Sequence, residues 1–421
     1  MKGQRRFPAR SLAIGSLIAV SILASALLAS AQAGSAPSIA SLTIPFTTLV
    51  NFNGTNGANS QASFVEGRDG YLYGTTPDGG ANNAGVLFKM TPGGTLTTLY
   101  SFCAEAGCTD GSGPGGLTLG RDGNIYGLTG GGGTFGYGTV FKFTGAASPI
   151  TLHNFDGTDG SGGGYLVQAS DGKFYGTTAY GANFFECLSN GCGTIFEMTP
   201  SGTLTTLHAF CSELACADGA ILYEYLALGP GGNYYGATFG GGTANCGTVF
   251  NVTPKGELTT IYTFGLQFYP FCNGNPVGLV LGTEGNFYGV TLGGQGGRGG
   301  QGTVFRITPK GELTTIHNFC SQTRCTDGST PRVWLTLGSD RNLYGTTYFG
   351  GAYNQGTVFQ ITPAGVLTTL HSFNGKDGNY PIGALYQARN GSFYGTTSVG
   401  GVNGVGTIFS LSVGIGVMPV K

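Results

Sequence analysis

Asn342-Leu343-Tyr344-Gly345-Thr346-Thr347 opens a unit that decides the fold. A Gly-Gly loop follows, then Gly356-Thr357-Val358-Phe359, Thr362-Pro363, and Leu367-Thr368-Thr369-Leu370-His371-Ser372-Phe373. The Tyr-Gly pair recurs at Tyr73, Tyr126, Tyr175, Tyr235, Tyr288, Tyr344 and Tyr394, with spacings between 49 and 60 residues. A period of about 50 residues is the mark of a propeller or a solenoid.

Each unit holds four short strand signals. Strand A is a brief apolar run such as Gly116–Leu119, Leu226–Leu228 or Trp334–Leu337. An Asp-Gly turn leads into strand B, which carries Tyr-Gly-Thr-Thr, and glycine there supplies the positive φ a tight hairpin needs. Strand C is Gly-Thr-Val/Ile-Phe, and Thr-Pro-x-Gly turns the chain into strand D, Leu-Thr-Thr-Leu/Ile. Four antiparallel strands repeated seven times predict an all-β, seven-bladed β-propeller over residues 46–411. The seventh unit lacks strand D at its end, but Phe46–Gly54 matches Leu367–Gly375 and completes that blade. A solenoid gives no reason to split one unit between the two ends of the chain.

Residues 1–33 read as a secretory signal: Lys2, Arg5, Arg6 and Arg10, then an apolar run from Leu12 to Leu28 and small residues at Ala29–Ala33. Residues 34–45 form a short linker and 412–421 a tail that is neither a membrane span nor a sorting signal. The compartment expected is secreted, periplasmic or cell-surface, with no membrane insertion after signal removal. The chain has 19 basic and 20 acidic residues, and losing those four basic ones leaves it mildly acidic. That balance excludes nucleic acid and anionic membranes as partners. Charged residues make up 9%, with 81 glycines, 28 Phe and 21 Tyr. Few charges with many rings and glycines suit small sheets stacked face to face, and disordered chains lack such an aromatic load.

Ten cysteines follow the signal. Cys103/Cys108, Cys187/Cys192, Cys211/Cys216 and Cys320/Cys325 share one spacing, and Cys246 and Cys272 remain as neighbours on the same face. In an exported chain they are expected as disulfides, not as a metal site.

The whole unit, from Tyr-Gly-Thr-Thr through Gly-Thr-Val-Phe and Thr-Pro-x-Gly to Leu-Thr-Thr-Leu, resembles the GloVer tandem repeat. It covers roughly Phe46 to Leu411. That family consists of exported bacterial proteins with a choice of C-terminal anchors, and the resemblance implies no established activity. The tail here departs from the anchored pattern, which points to a free secreted form. The strand layout is also similar to kelch repeats, although the kelch tryptophan has no counterpart.

In a propeller the D-to-A and B-to-C connections share one face, and in this chain those are the connections that vary. The B-to-C loops carry Phe135, Tyr137, Tyr180, Phe184, Phe185, Phe239, Tyr348, Phe349 and Tyr353. Rings among Gly and Asn suit an extracellular carbohydrate or an extended peptide; the alternative is that they cap the blade ends. Glu224 and Arg332, each just before a strand A, are the charged candidates at the channel mouth. All four histidines, His153, His208, His317 and His371, occupy one strand D position that Tyr100, Tyr262 and Val50 fill elsewhere. They read as structural, which leaves a Ser-His-Asp triad nothing to build on. Asp156–Ser161 lacks the bidentate Glu of an EF-hand, and Gly294–Gly299 fits a dinucleotide pattern but precedes a strand, so no cofactor is expected.

The expectation is thus a monomeric, disulfide-stapled propeller that binds or scaffolds extracellular carbohydrate or protein and has no catalytic residue. A glycan-active enzyme centred on Glu224 and a structural envelope or matrix protein are the alternatives.

Overall fold

The computed structural model describes residues 44–413, except 62, 183–186, 188–190, 224, 269–270, 273 and 294–300. The signal-peptide assignment, Phe184, Phe185 and Glu224 lie outside the described residues. Seven four-stranded antiparallel sheets make a seven-bladed β-propeller. Blade 2 shows the order: Ser112–Leu119, Ile125–Gly131, Thr139–Phe143 and Ile150–Asn154. Blade 6 repeats it with Thr336–Leu337, Leu343–Thr347, Thr357–Ile361 and Leu367–Ser372. In blade 7, Phe46–Asn51 supplies the outermost strand, pairing Phe46 with Leu411 and Asn51 with Thr407. The ring is therefore closed by the first strand of the propeller meeting the last.

Burial follows strand position. The third strand of every blade is buried but for one residue, as in Thr357–Ile361, whereas the outermost strand Leu367–Ser372 is only partly covered. The third strands are sandwiched between neighbouring blades, so charge is confined to their one uncovered position, which Lys89, Lys142, Glu197 and Arg306 fill in four of the blades. The core clusters span blade pairs: Tyr126, Leu128 and Val140 pack with Leu166, Phe174, Phe196 and Met198 of the next blade. The Tyr of one Tyr-Gly pair also meets the aromatic ring before the next one. Centroids lie 4.3 Å apart for Tyr126 and Phe174, 4.2 Å for Tyr235 and Phe287, and 4.1 Å for Tyr344 and Phe393. Such ring pairs add about 0.5–1.5 kcal/mol each beyond the area they bury.

The repeated residues have separable jobs. A Cβ on the glycine of Tyr-Gly would come within 2.4–2.6 Å of the strand C phenylalanine ring in all seven blades. Glycine is there because that ring lies across it. The glycine before strand C adopts positive φ, 98° at Gly356, where a Cβ would also meet the Thr347 carbonyl oxygen at 2.5 Å. The second Thr of Tyr-Gly-Thr-Thr bonds the first Thr of strand C, at 2.8 Å for Thr347 and Thr357 and 2.9 Å for Thr178 and Thr194. The Tyr hydroxyl donates to the turn carboxylate, as Tyr344 does to Asp340 at 2.8 Å. Burial, with that kind of bond, pushes the Tyr73 hydroxyl up to about 12.

The histidines are structural parts of this frame. Their Nε2 atoms face the aspartate of the following loop, 2.6 Å for His153 and Asp159, 3.0 Å for His208 and Asp218, and 2.9 Å for His371 and Asp377. Tyr100 does the same to Asp110 at 2.8 Å. Each aspartate also accepts backbone N–H groups of its own loop, as Asp218 does from Ser212 and Glu213. Burial raises the Asp218 carboxyl, but bonds from His208 and Ser212 outweigh it and hold the group below its ordinary value.

Expected innermost strands are shorter than the sequence implied: of Leu226–Leu228 only Ala227–Leu228 is strand. In the run Trp334–Leu337 only Thr336–Leu337 joins the sheet. Trp334 sits before it and packs with Val333 and Ala384; the innermost strands of blades 1, 4 and 7 are equally short without a tryptophan, at Val65–Glu66, Ala227–Leu228 and Tyr386–Gln387.

Candidate functional site

The D-to-A and B-to-C connections do share one face, joined by short backbone bridges such as Ser161 to Tyr180 and Ser329 to Phe349. On that face a cavity of about 540 Å³ opens on the propeller axis. Every blade contributes: Gln61 and Pro77, Gly113–Gly116, Gly163–Tyr165, Tyr223 and Phe239, Val277 and Leu292, Arg332–Trp334, and Ile382. Its floor is an aromatic plug. Trp334 is buried with Val333 and Ala384, and Tyr165 and Tyr225 set their rings edge-on to it at 4.8 and 5.1 Å. Tyr165 packs directly on Gly116, where a Cβ would stand 1.8 Å from its ring.

Two aromatic groups built from different blades adjoin the wall, which Tyr223, Phe239 and Arg332 themselves line. Tyr223 bonds the Tyr180 hydroxyl at 3.1 Å and sets its ring edge-on to Phe239 at 5.6 Å. Burial and that bond push the Tyr223 hydroxyl well above its ordinary value, so it stays a proton-bearing donor. Opposite in the ring order, Tyr348 is held between the Arg332 guanidinium, 4.3 Å from its centroid, and Tyr380, stacked at 4.5 Å and 13°. Phe349 meets both tyrosines edge-on. Arg332 is exposed and is the one charged residue among the described residues lining the cavity.

The sequence candidates thus separate into two sets. Tyr180, Phe239, Tyr348, Phe349 and Arg332 gather at or beside the axial cavity. Phe135, Tyr137 and Tyr353 stand on B-to-C loops with 59%, 39% and 61% of their surface exposed. Phe135 and Tyr353 occupy the loop position of Asn82 and Asn403, whose side chains donate to the carbonyls of Phe102 and Phe52. Those asparagines tie the loop to strand D; the two rings face solvent instead.

Sequence reasoning missed Tyr165, Tyr223, Tyr225, Trp334 and Tyr380. All five lie in D-to-A connections outside the repeat. The signal available was the single tryptophan of the chain, set two residues after the charged candidate Arg332.

All ten cysteines are paired, Cys103–Cys108, Cys187–Cys192, Cys211–Cys216, Cys246–Cys272 and Cys320–Cys325. Two of the pairs meet: Cys187 Sγ lies 3.7 Å from Cys211 Sγ. Five disulfides mark a chain made for an oxidising compartment outside the cytoplasm. Among the described residues no helix is long and apolar enough to cross a membrane.

The family model described as the Gloeobacter/Verrucomicrobia repeat matches residues 28–228 and 222–419. No curated protein matches the chain. Among solved structures, virginiamycin B lyase from Staphylococcus aureus is similar, with a TM-score of 0.58 at 14% identity. That alignment covers 88% of this chain and 99% of the lyase. The extracellular domain of a hybrid two-component system from B. thetaiotaomicron gives a TM-score of 0.58 at 12% identity, over 89% of this chain and 40% of that one. At such identities these likenesses show the propeller fold alone.

Proposed function

We propose that this chain, which belongs to the Gloeobacter/Verrucomicrobia repeat family, is an exported binding module that holds an extracellular carbohydrate in its axial cavity. The observation that carries this reading is the lining, in which aromatic rings from several blades surround a cavity of about 540 Å³ beside one exposed guanidinium. Sugar rings present apolar C–H faces that stack on such rings, and a few convergent polar groups fix their orientation. Gln61, Arg332 and the Tyr223 hydroxyl are suited to that role. Arg332 rests against the Tyr348 ring before any ligand arrives, so less of its side-chain entropy remains to be lost on binding.

A glycan array probed with the full chain, with and without calcium, tests this. Binding that falls at least tenfold in Tyr223→Ala and in Arg332→Ala, with unchanged circular dichroism, supports the axial site. Binding kept in both variants but lost in Phe135→Ala or Tyr353→Ala moves the site to the exposed loops. A blank array leaves the carbohydrate reading without support and turns attention to a protein partner.

A further inference from the structure

We propose that Cys187, Cys192, Cys211 and Cys216 form a redox-gated metal site, two disulfides when oxidised and a tetrathiolate centre for a soft divalent cation such as zinc when reduced. Their four sulfur atoms all lie within 4.8 Å of one another, and Cys187 and Cys211 from different pairs are already 3.7 Å apart. In a tetrahedral site with Zn–S bonds of about 2.3 Å the sulfurs stand roughly 3.8 Å apart. The Cys187–Cys211 separation therefore matches one edge of that tetrahedron; the two bonded edges must open, and the remaining separations, all within 4.8 Å, must settle to the same length.

This grouping is particular to one place in the ring. Three D-to-A loops carry the Cys-x4-Cys pair, at Cys103, Cys211 and Cys320. The preceding B-to-C loops at 77–85 and 292–302 contain no cysteine, whereas that of blade 3 supplies Cys187 and Cys192. The outer end of the cluster is reachable, since Cys187 and Cys216 are half-buried while Cys192 and Cys211 are buried.

The D-to-A loop around Cys211 and Cys216 is also held by hydrogen bonds that do not involve sulfur. Cys211 N–H donates to the Gly219 carbonyl, Gly219 N–H to Cys216, and Asp218 gathers Ser212 and Glu213. Ile221 N–H donates to the Cys192 carbonyl and ties the two loops to each other. Reduction by two equivalents of a dithiol delivers four electrons and four protons, opens both S–S bonds and leaves four thiols; the dithiol leaves as two cyclic disulfides. Metal binding then displaces the thiol protons and gives a centre of four thiolates and one dication, with net charge −2.

The test uses the full chain reduced under argon and titrated with cobalt(II). The expected result is a thiolate-to-cobalt charge-transfer band with the visible bands of tetrahedral cobalt. These should saturate at one equivalent, be bleached by zinc, and be lost in Cys187→Ser/Cys192→Ser but kept in Cys103→Ser/Cys108→Ser. A reduced chain without those bands, or bands that survive the Cys187→Ser/Cys192→Ser change, would overturn the proposal. A second readout needs no variant: zinc should protect these four cysteines, and not the other six, from alkylation mapped by peptide mass spectrometry. Equal alkylation of all ten in the presence of zinc also refutes it.

Discussion

Replacing Gly345 by alanine isolates the packing rule that repeats through the ring. Its backbone is not in the left-handed region, so an alanine there costs nothing in φ and the whole effect is steric. The new Cβ would lie 2.6 Å from Phe359 Cζ, 2.8 Å from Leu335 Cδ2 and 3.0 Å from Phe359 Cε1. Both neighbours are fully buried, so neither ring nor leucine can swing into solvent. Overpacking of this kind costs about 1–3 kcal/mol. Unfolding entropy near 2.1 cal/mol/K per residue over the ~370 residues of the ring makes 1 kcal/mol worth roughly 1.3 °C, so the midpoint should fall by about 1–4 °C. Thermal melts and urea titrations of Gly345→Ala, Phe359→Leu and the double variant give the coupling. Because leucine withdraws the atoms that the Cβ strikes, the double variant should be less destabilised than the two losses added. An unchanged midpoint in Gly345→Ala, or simple additivity in the double variant, would refute the steric account.

Acid sensitivity should be concentrated in part at His317. Burial pushes its imidazole below the ordinary value of 6.5, despite Asp327 at 3.3 Å. The unfolded chain then binds the proton more readily, so stability from this residue is present above about pH 6.5 and falls as pH drops below it. His317→Tyr, which copies Tyr100 and its bond to Asp110, should lose less urea resistance between pH 7.5 and pH 5 than the parent; an equal loss counts against the assignment. Deleting Phe46–Asn51 leaves Thr407–Leu411 as an open edge and strips Phe46 from His371, Phe373 and Phe409. Size-exclusion chromatography should show self-association that a peptide spanning Phe46–Gly54 reverses, and a stable monomer without the peptide would contradict the closure argument.

The fold was legible because its instructions are written seven times. Tyr-Gly, Gly-Thr-Val-Phe and Thr-Pro-x-Gly each answer to a contact that recurs in blade after blade, so the repeat exposes the contact. The histidines were legible as repeat-bound, but their pairing with the loop aspartates was not, since a strand D residue and a loop residue meet only once the loop curls back. The cavity shows the limit more sharply. Phe239, Tyr348, Phe349 and Arg332 stood out beside a recognisable strand. Trp334, Tyr165 and Tyr225 come from three different connections and meet only because the ring brings them to one axis. Spacing along the chain carries no record of that meeting. The cysteines behave alike: equal spacing pairs each with its near neighbour, and nothing in the spacing places Cys187 against Cys211.

The closing strand also sets a clock. An exported chain delivers its amino end first, so Phe46–Asn51 appears ahead of every blade, and its partner Thr407–Leu411 is made 360 or so residues later. At about 5–20 residues per second of synthesis, that interval is on the order of 20–70 s. For that time the segment Phe-Thr-Thr-Leu-Val-Asn is without its mate while the strands of six complete sheets are made after it. Whatever shields those six residues during the wait decides the yield of closed rings, however stable the finished ring is.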